Sequence, residues 1–214
     1  GNVESKWFFT EYVDGLSATA RFGYDYATST RTTFSPSTSQ ADIEASRGGR
    51  LDRNTPRQVN TVFKMFGNFN RKYEQWESTV DVTAGYTYEQ QKGDYQSFFA
   101  EDLATDLLGP YGVPSAGNTV PSLSVDESKL ISFFGRANWT YKDRYLFTAS
   151  VRRDGSSRFG AGNQWGLFPA LAAAWRIVDE PFFSEVEMLS DLKLRFSWGV
   201  NGNQSFGNYL YVPT

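Results

Sequence analysis

The chain of 214 residues has no cysteine and no histidine. That excludes a disulfide framework, a thiolate or imidazole metal site, a cysteine nucleophile and a Ser-His-Asp relay. Carboxylates, Lys, Tyr or a cofactor would have to carry any catalysis, and no convergent acid pair stands at a defined spacing, so neither enzymatic activity nor a cofactor or metal is expected. A basic excess is missing too: 21 Lys and Arg against 24 Asp and Glu leave a net charge of −3. The basic residues are scattered, which speaks against nucleic acid as a partner. No stretch reaches the roughly 18 apolar residues of a transmembrane helix. A membrane β-barrel stays open, because its strands are only half apolar.

Aromatic residues are abundant, with 6 Trp, 12 Tyr and 18 Phe, although the mean hydropathy is −0.48. They fall into a period of two. Leu16, Ala18, Ala20, Phe22, Tyr24 and Tyr26 alternate with Ser17, Thr19, Arg21, Gly23 and Asp25. Trp76, Ser78, Val80, Val82, Ala84, Tyr86 and Tyr88 alternate with Glu77, Thr79, Asp81, Thr83, Gly85, Thr87 and Glu89. The pattern returns at Ile131 to Tyr141, Tyr145 to Arg152, Trp165 to Ile177 and Leu192 to Val200, and more loosely at Val59 to Phe69, where Val62 and Phe66 fall on the polar face. Such alternation marks strands with one apolar and one polar face. With a fragmentary start at Val3 to Thr10, about eight antiparallel strands are expected.

Strand length and connection order separate a membrane wall from a soluble sandwich. The regular runs last roughly 11 to 14 residues, against about 5 to 6 for a globular strand and about 9 to 11 for a tilted membrane strand. Links alternate between tight (residues 13–15, 72–75 and 142–144) and long (after Tyr26, Glu89 and Val151), with polar stretches 27–57 and 92–128 read as loops. A short helix-like piece is expected at 102–108 and a helical turn after Pro181 within 178–190. Trp76, Trp139, Tyr141, Tyr145, Trp175 and Ile177 sit at the tight-turn end, and Tyr24, Tyr26, Tyr86 and Tyr88 at the long-link end. Two aromatic girdles around an aliphatic band suit a lipid-facing surface. The opposite face then lines a lumen, with Arg21, Asp25, Lys64, Asn68, Glu77, Asp81, Arg136, Asn138, Arg152 and Arg195 as candidate lumen-facing residues. They mix both charges, which suits a hydrated wall and not a single-sign ion filter.

From Leu130 onward the wording is similar to one family. SFFGRANWTYKDRY (132–145), VRRDGSSRFG (151–160), WGLFPA (165–170), WRI (175–177), EPFF (180–183), LKLRFSWG (192–199) and NGN (201–203) follow one another in an order that resembles the barrel of SusC/RagA-like TonB-dependent outer-membrane transporters. The resemblance implies active import of large nutrients, oligosaccharides or peptides, across the outer membrane of a Gram-negative bacterium. It implies a SusD-like surface lipoprotein as partner, and a TonB complex acting through a plug. Such barrels have about 22 strands. The chain is therefore expected to be a segment of an all-β transmembrane barrel over its whole length, 1–214, with the plug and remaining strands outside it. A complete small outer-membrane barrel with a structural or adhesive role is the alternative. The glycine-rich run from Gly160 to Gly166 is no phosphate loop, since it lacks the Gly-Lys-Ser/Thr ending and opens no helix.

Overall fold

The structure, a computed structural model, describes residues 1–183, 190–203 and 208. Among them are nine strands: β1 (Asn2–Phe8), β2 (Leu16–Thr28), β3 (Arg31–Ser35), β4 (Arg50–Tyr73), β5 (Ser78–Leu103), β6 (Ala116–Tyr141), β7 (Tyr145–Ser156), β8 (Trp165–Arg176) and β9 (Lys193–Gly199). They lie side by side as β1-β2-β4-β5-β6-β7-β8-β9, with β3 paired to β4. β1 and β9 occupy the two edges, so the sheet is open and a closed small barrel is not what these residues build. The chain divides into two compact units, one of residues 1–24, 61–90 and 128–214, the other of 25–60 and 91–127.

The first unit is a wall whose hydrophobicity is turned outward. Cross-strand partners Trp139↔Phe147, Ala137↔Ala149 and Ala149↔Leu171 place the apolar residues of successive strands on one face. That face is the open one: Phe147, Val151, Leu167, Leu171, Phe196 and Trp198 are all exposed. Its buried residues are polar instead, including Thr19, Ser78, Thr87, Ser132 and Ser156. A sheet in water buries its apolar face, so the arrangement is inverted. Rings run along both rims of the apolar face. At the tight-turn end Phe147, Trp139, Tyr141, Tyr145 and Trp175 follow one another at centroid distances of 5.5, 6.1, 6.1 and 6.3 Å. Toward the long links Phe63, Tyr86, Phe133 and Trp165 do so at 6.4, 5.2 and 6.3 Å.

Tight turns set the register of this wall. Lys142 and Asp143, at φ of 52° and 54°, are the left-handed pair within the three-residue link 142–144 between β6 and β7, and the Arg144 N–H closes the turn on the Tyr141 carbonyl. Gly15, at φ 84°, packs against the Asn70 backbone where a side chain would collide. After β8, Ile177–Asp179 and Pro181–Phe183 are 3₁₀ turns, the second meeting the helical turn expected after Pro181; residues 184–189 of that expectation lie outside the described residues, as does Gly207 of the last loop.

The second unit holds the conventional core. Leu51, Ala100 and Leu103 are the buried hydrophobic residues among those described, with Phe34, Phe98, Val113 and Ala116 packed against them. Stretches expected to be loops are largely strand here: β3 lies in 27–57, β5 continues to Leu103 and β6 starts at Ala116. Ladder pairing needs only backbone groups, and where both faces are polar the period of two disappears from the sequence. The apolar piece near 102–108 is a 3₁₀ segment, Asp106–Tyr111, interrupted at Gly109 (φ 48°). The short helix α1 (Gln40–Glu44) is capped by Ser39 and carries Asp42, which is 1% exposed. Hydroxyls of Ser35 and Ser39 donate to its carboxylate at 2.5 and 2.6 Å, and Arg47 reaches it at 3.0 Å. The two hydroxyl bonds, with the Arg47 charge, hold Asp42 below the usual carboxylate range against the opposing effect of burial.

Glu180, buried between the two 3₁₀ turns, ties the tight-turn end of the wall together. Its carboxylate accepts from the Tyr145 hydroxyl at 2.6 Å, the Trp175 indole at 2.9 Å and the Arg144 guanidinium at 2.9 Å. The Tyr145 bond, then those of Trp175 and Arg144, lower its pKa from the ordinary 4.5 although burial opposes them. A carboxylate with a depressed folded pKa contributes stability that is complete above its unfolded pKa and is lost as pH falls through the folded value. The stability gap between wild type and Glu180→Gln, read as apparent melting temperature, is therefore expected to be constant above about pH 5. It should close progressively as the solution is acidified below that.

Candidate functional site

The polar face of the wall is where side chains of different strands are brought together. β4, β5, β6 and β7 each contribute to one hydrogen-bonded cluster centred on Asp81. Its carboxylate accepts from Asn70 at 3.0 Å, Asn68 at 3.3 Å and Asn138 at 3.2 Å. Asn68 also donates to Thr83 at 2.9 Å, while the Asn138 carbonyl accepts from Thr148 at 2.9 Å and Arg136 at 3.2 Å. The cause is register: Asn138 stands opposite Thr148, and residues two apart on β4 and β5 share a face. Four of the candidate residues, Asn68, Asp81, Arg136 and Asn138, are thus members of a single network.

The other candidates are distributed around it. Arg152 donates through Nε to both oxygens of Asp154 at 2.7 and 2.9 Å and through Nη2 to Ser132 at 2.9 Å. Lys64 faces Glu89 at 4.0 Å, and Arg21 pairs with Glu4 across β1 and β2. Glu77 lies in the tight turn beside Lys142, 3.7 Å away. Arg195 is on the edge strand opposite Ala174. Asp25 belongs to the second unit.

Two features of this face were not read from the sequence. One is an apolar patch. A Cβ on Gly85 would come within 2.5 Å of the Phe66 Cβ and 2.8 Å of the Phe134 ring, so the missing side chain makes room for both. Phe66, an exception to the alternation, is the clue that was present. The other is a concavity of about 520 Å³ near the long link between β7 and β8, lined in part by Arg152, Asp154, Phe159, Asn163, Phe168 and Asn201. The residues around it come from the motifs at 151–160, 165–170 and 201–203 and from the glycine-rich run between the first two, and only the strand pairing shows that they meet.

The family described as TonB dependent receptor-like, beta-barrel matches residues 3–213. The TonB-dependent receptor SusC of Bacteroides thetaiotaomicron is 52% identical over 85 residues, covering 39% of this chain and 8% of that protein. A TonB-dependent receptor of Formosa agariphila is 30% identical over 208 residues, covering 93% of this chain and 19% of that one. Among solved structures, the RagAB peptide importer in its open-open state gives a TM-score of 0.79 at 25% identity, over 92% of this chain and 21% of the other. Its closed-closed state gives 0.82 at 24%, over 97% and 22%. The chain thus spans about a fifth or less of the length of these relatives.

Asp81 accepts three of the bonds that join β4, β5 and β6 on this face. Asp81→Ala leaves the amides of Asn68, Asn70 and Asn138 without that acceptor and is expected to cost about 1–3 kcal/mol. The cost is read as a lower temperature of conversion from the compact to the heat-unfolded band in gel electrophoresis. Ser150→Ala on the same face, outside the network, should leave that temperature unchanged.

Proposed function

The chain belongs to the TonB dependent receptor-like β-barrel family, and from that premise we propose that it forms part of the wall of an outer-membrane, TonB-dependent importer of large nutrients. The observation that supports this most is the inversion of the first unit: large apolar side chains are open, and its buried residues among those described are polar. Such a wall satisfies its backbone by strand pairing and offers hydrocarbon to lipid on one face. On this reading the polar face, with Asp81 and Arg152, lines the lumen, and the ring ladders lie at the two headgroup levels. Arg153 supports the outer level. Its guanidinium lies over Trp165, 4.9 Å from the ring centroid, at the long-link end of the apolar face, as a cation at a headgroup boundary would.

The plug, the TonB-contacting segment and further strands belong to the parent protein, and residues 1–214 form part of its barrel. Energy from the TonB complex would act through that plug, and a SusD-like lipoprotein would cover the outer mouth. Oligosaccharides or peptides would be the cargo. The open order of the sheet favours this reading over a complete small barrel.

Orientation and lipid contact are both testable in cells producing the parent protein. An impermeant thiol reagent should label Leu107→Cys, 96% exposed in the second unit, from outside. It should not reach Gln75→Cys in a tight turn; the reverse pattern would invert the topology. Leu171→Arg on the apolar face should cost about 2–4 kcal/mol and deplete assembled protein in the membrane, whereas Ser150→Arg on the opposite face should assemble normally. Nutrient uptake should also cease in a strain lacking TonB, and uptake that continues there would end the import reading.

A further inference from the structure

The concavity beside β7, β8 and the residues after β9 has the chemistry of a small-molecule site. Its volume of about 520 Å³ lies within the roughly 300–1,000 Å³ of ligand pockets. Three aromatic residues, Phe159, Trp165 and Phe168, are among those that line it. The Phe168 ring is seated against two glycines: a Cβ on Gly166 would lie 2.6 Å from its Cζ, and one on Gly202 would overlap the ring edge. Side-chain amides of Asn163, Gln164 and Asn201 add groups that both donate and accept.

The charge balance of this concavity narrows the ligand. Among the described residues its charged ones are Arg152 and Asp154, bound to each other through two hydrogen bonds of 2.7 and 2.9 Å. A carboxylate or ammonium entering it would lose water without meeting an uncompensated counter-charge. A ligand of hydroxyl groups has no such difficulty. Its hydroxyls, each a donor and an acceptor, match amides, the free edges of the ion pair and glycine backbone, while the C–H face of a pyranose ring covers an aromatic ring.

Resting on the reading of the polar face as the lumen wall, we infer that this concavity is a binding subsite for a neutral oligosaccharide near the outer mouth of the barrel. Phe168 is its stacking platform, held in place by Gly166 and Gly202. Asn163, Gln164 and Asn201 contact hydroxyl groups, and the Arg152–Asp154 pair keeps the subsite neutral.

The test uses the detergent-purified full-length parent protein, titrated by calorimetry with neutral hexaoses (malto-, xylo-, manno- and laminari-), a hexagalacturonate and a neutral hexapeptide. At least one neutral hexaose should bind. Phe168→Ala should weaken it about tenfold, the scale of losing one well-placed aromatic contact. Gly202→Val should do the same without removing the ring. Asp154→Asn, which leaves Arg152 uncompensated, should weaken the neutral sugar and strengthen hexagalacturonate. Each variant is first checked for the heat-modifiable band that marks a folded barrel, and a variant without it is replaced by Phe168→Leu, which keeps the bulk but not the flat ring face. Binding of the hexapeptide alone, of no hexaose, or of a hexaose with equal affinity in wild type and ring variants would overturn the subsite. If the folded variants still import in a TonB-dependent way, only the subsite falls. Failure of the parent protein to reach the outer membrane would instead remove the import reading itself.

Discussion

Strand-to-strand hydrogen bonding in one continuous register is the constraint on which the wall depends. Among its described residues the first unit has no buried hydrophobic side chain to hold it; its apolar side chains face away from its polar ones. Cohesion must come from the ladder, where β7 is paired along its length with β6 on one side and β8 on the other, as the pairings Tyr141↔Tyr145 and Tyr145↔Trp175 begin at the tight-turn end. A slip of one residue would exchange the faces and put Arg152 where Val151 stands. The tight turns at Gly15 and Lys142–Asp143 matter for that reason: they fix where each ladder starts.

The polar face adds a second level of cohesion, because side chains there repeat across strands what the backbone does between them. Asp81 draws on amides from β4 and β6, and Asn138 passes the connection to β7 through Thr148. Glu180 does a comparable job at the rim, where Arg144, Tyr145 and Trp175 converge. Both carboxylates are satisfied by donors, which is what lets them sit in partly covered positions. The second unit solves its stability differently, with Leu51, Ala100 and Leu103 packed as in a water-soluble domain and Asp42 anchoring α1.

These two solutions also explain what could be read from the residues alone. Alternation announced β2, β5, β6, β7, β8 and β9 because a wall with one apolar and one polar face puts opposite chemistry on adjacent residues. The rim rings at Trp139, Tyr141, Tyr145 and Trp175 were visible for the same reason. β3 and the parts of β4, β5 and β6 that belong to the second unit were not, since strands that are polar on both faces place no period on hydropathy. Trp165 and Phe133 were missed as rim residues, for a ladder of rings depends on which strands are neighbours. The Asp81 cluster lay in the candidate residues as separate names, and only register made it one object. Arg21 and Asp25 share a strand and a parity, yet they fall in different units.

The glycine-rich loop after β7 shows how a motif can be dismissed correctly and still be incomplete. Residues 160–166 lack the Gly-Lys-Ser/Thr ending of a phosphate loop, and they lead into β8 and not into a helix. What the loop and its neighbours provide is room. Gly166 and Gly202, far apart in sequence, both yield space to Phe168, as Gly85 does to Phe66 and Phe134. On a wall that is otherwise a regular lattice of side chains two residues apart, a missing Cβ is the simplest way to let a large ring lie flat. The shape of the polar face therefore follows less from which polar residues it carries than from where glycine interrupts them. Charge does the complementary work: Arg152 and Asp154 stand two residues apart on β7, on one face, and neutralise each other within a single strand. The concavity beside them inherits polarity without net charge, so shape and hydrogen bonding are left to select what it holds.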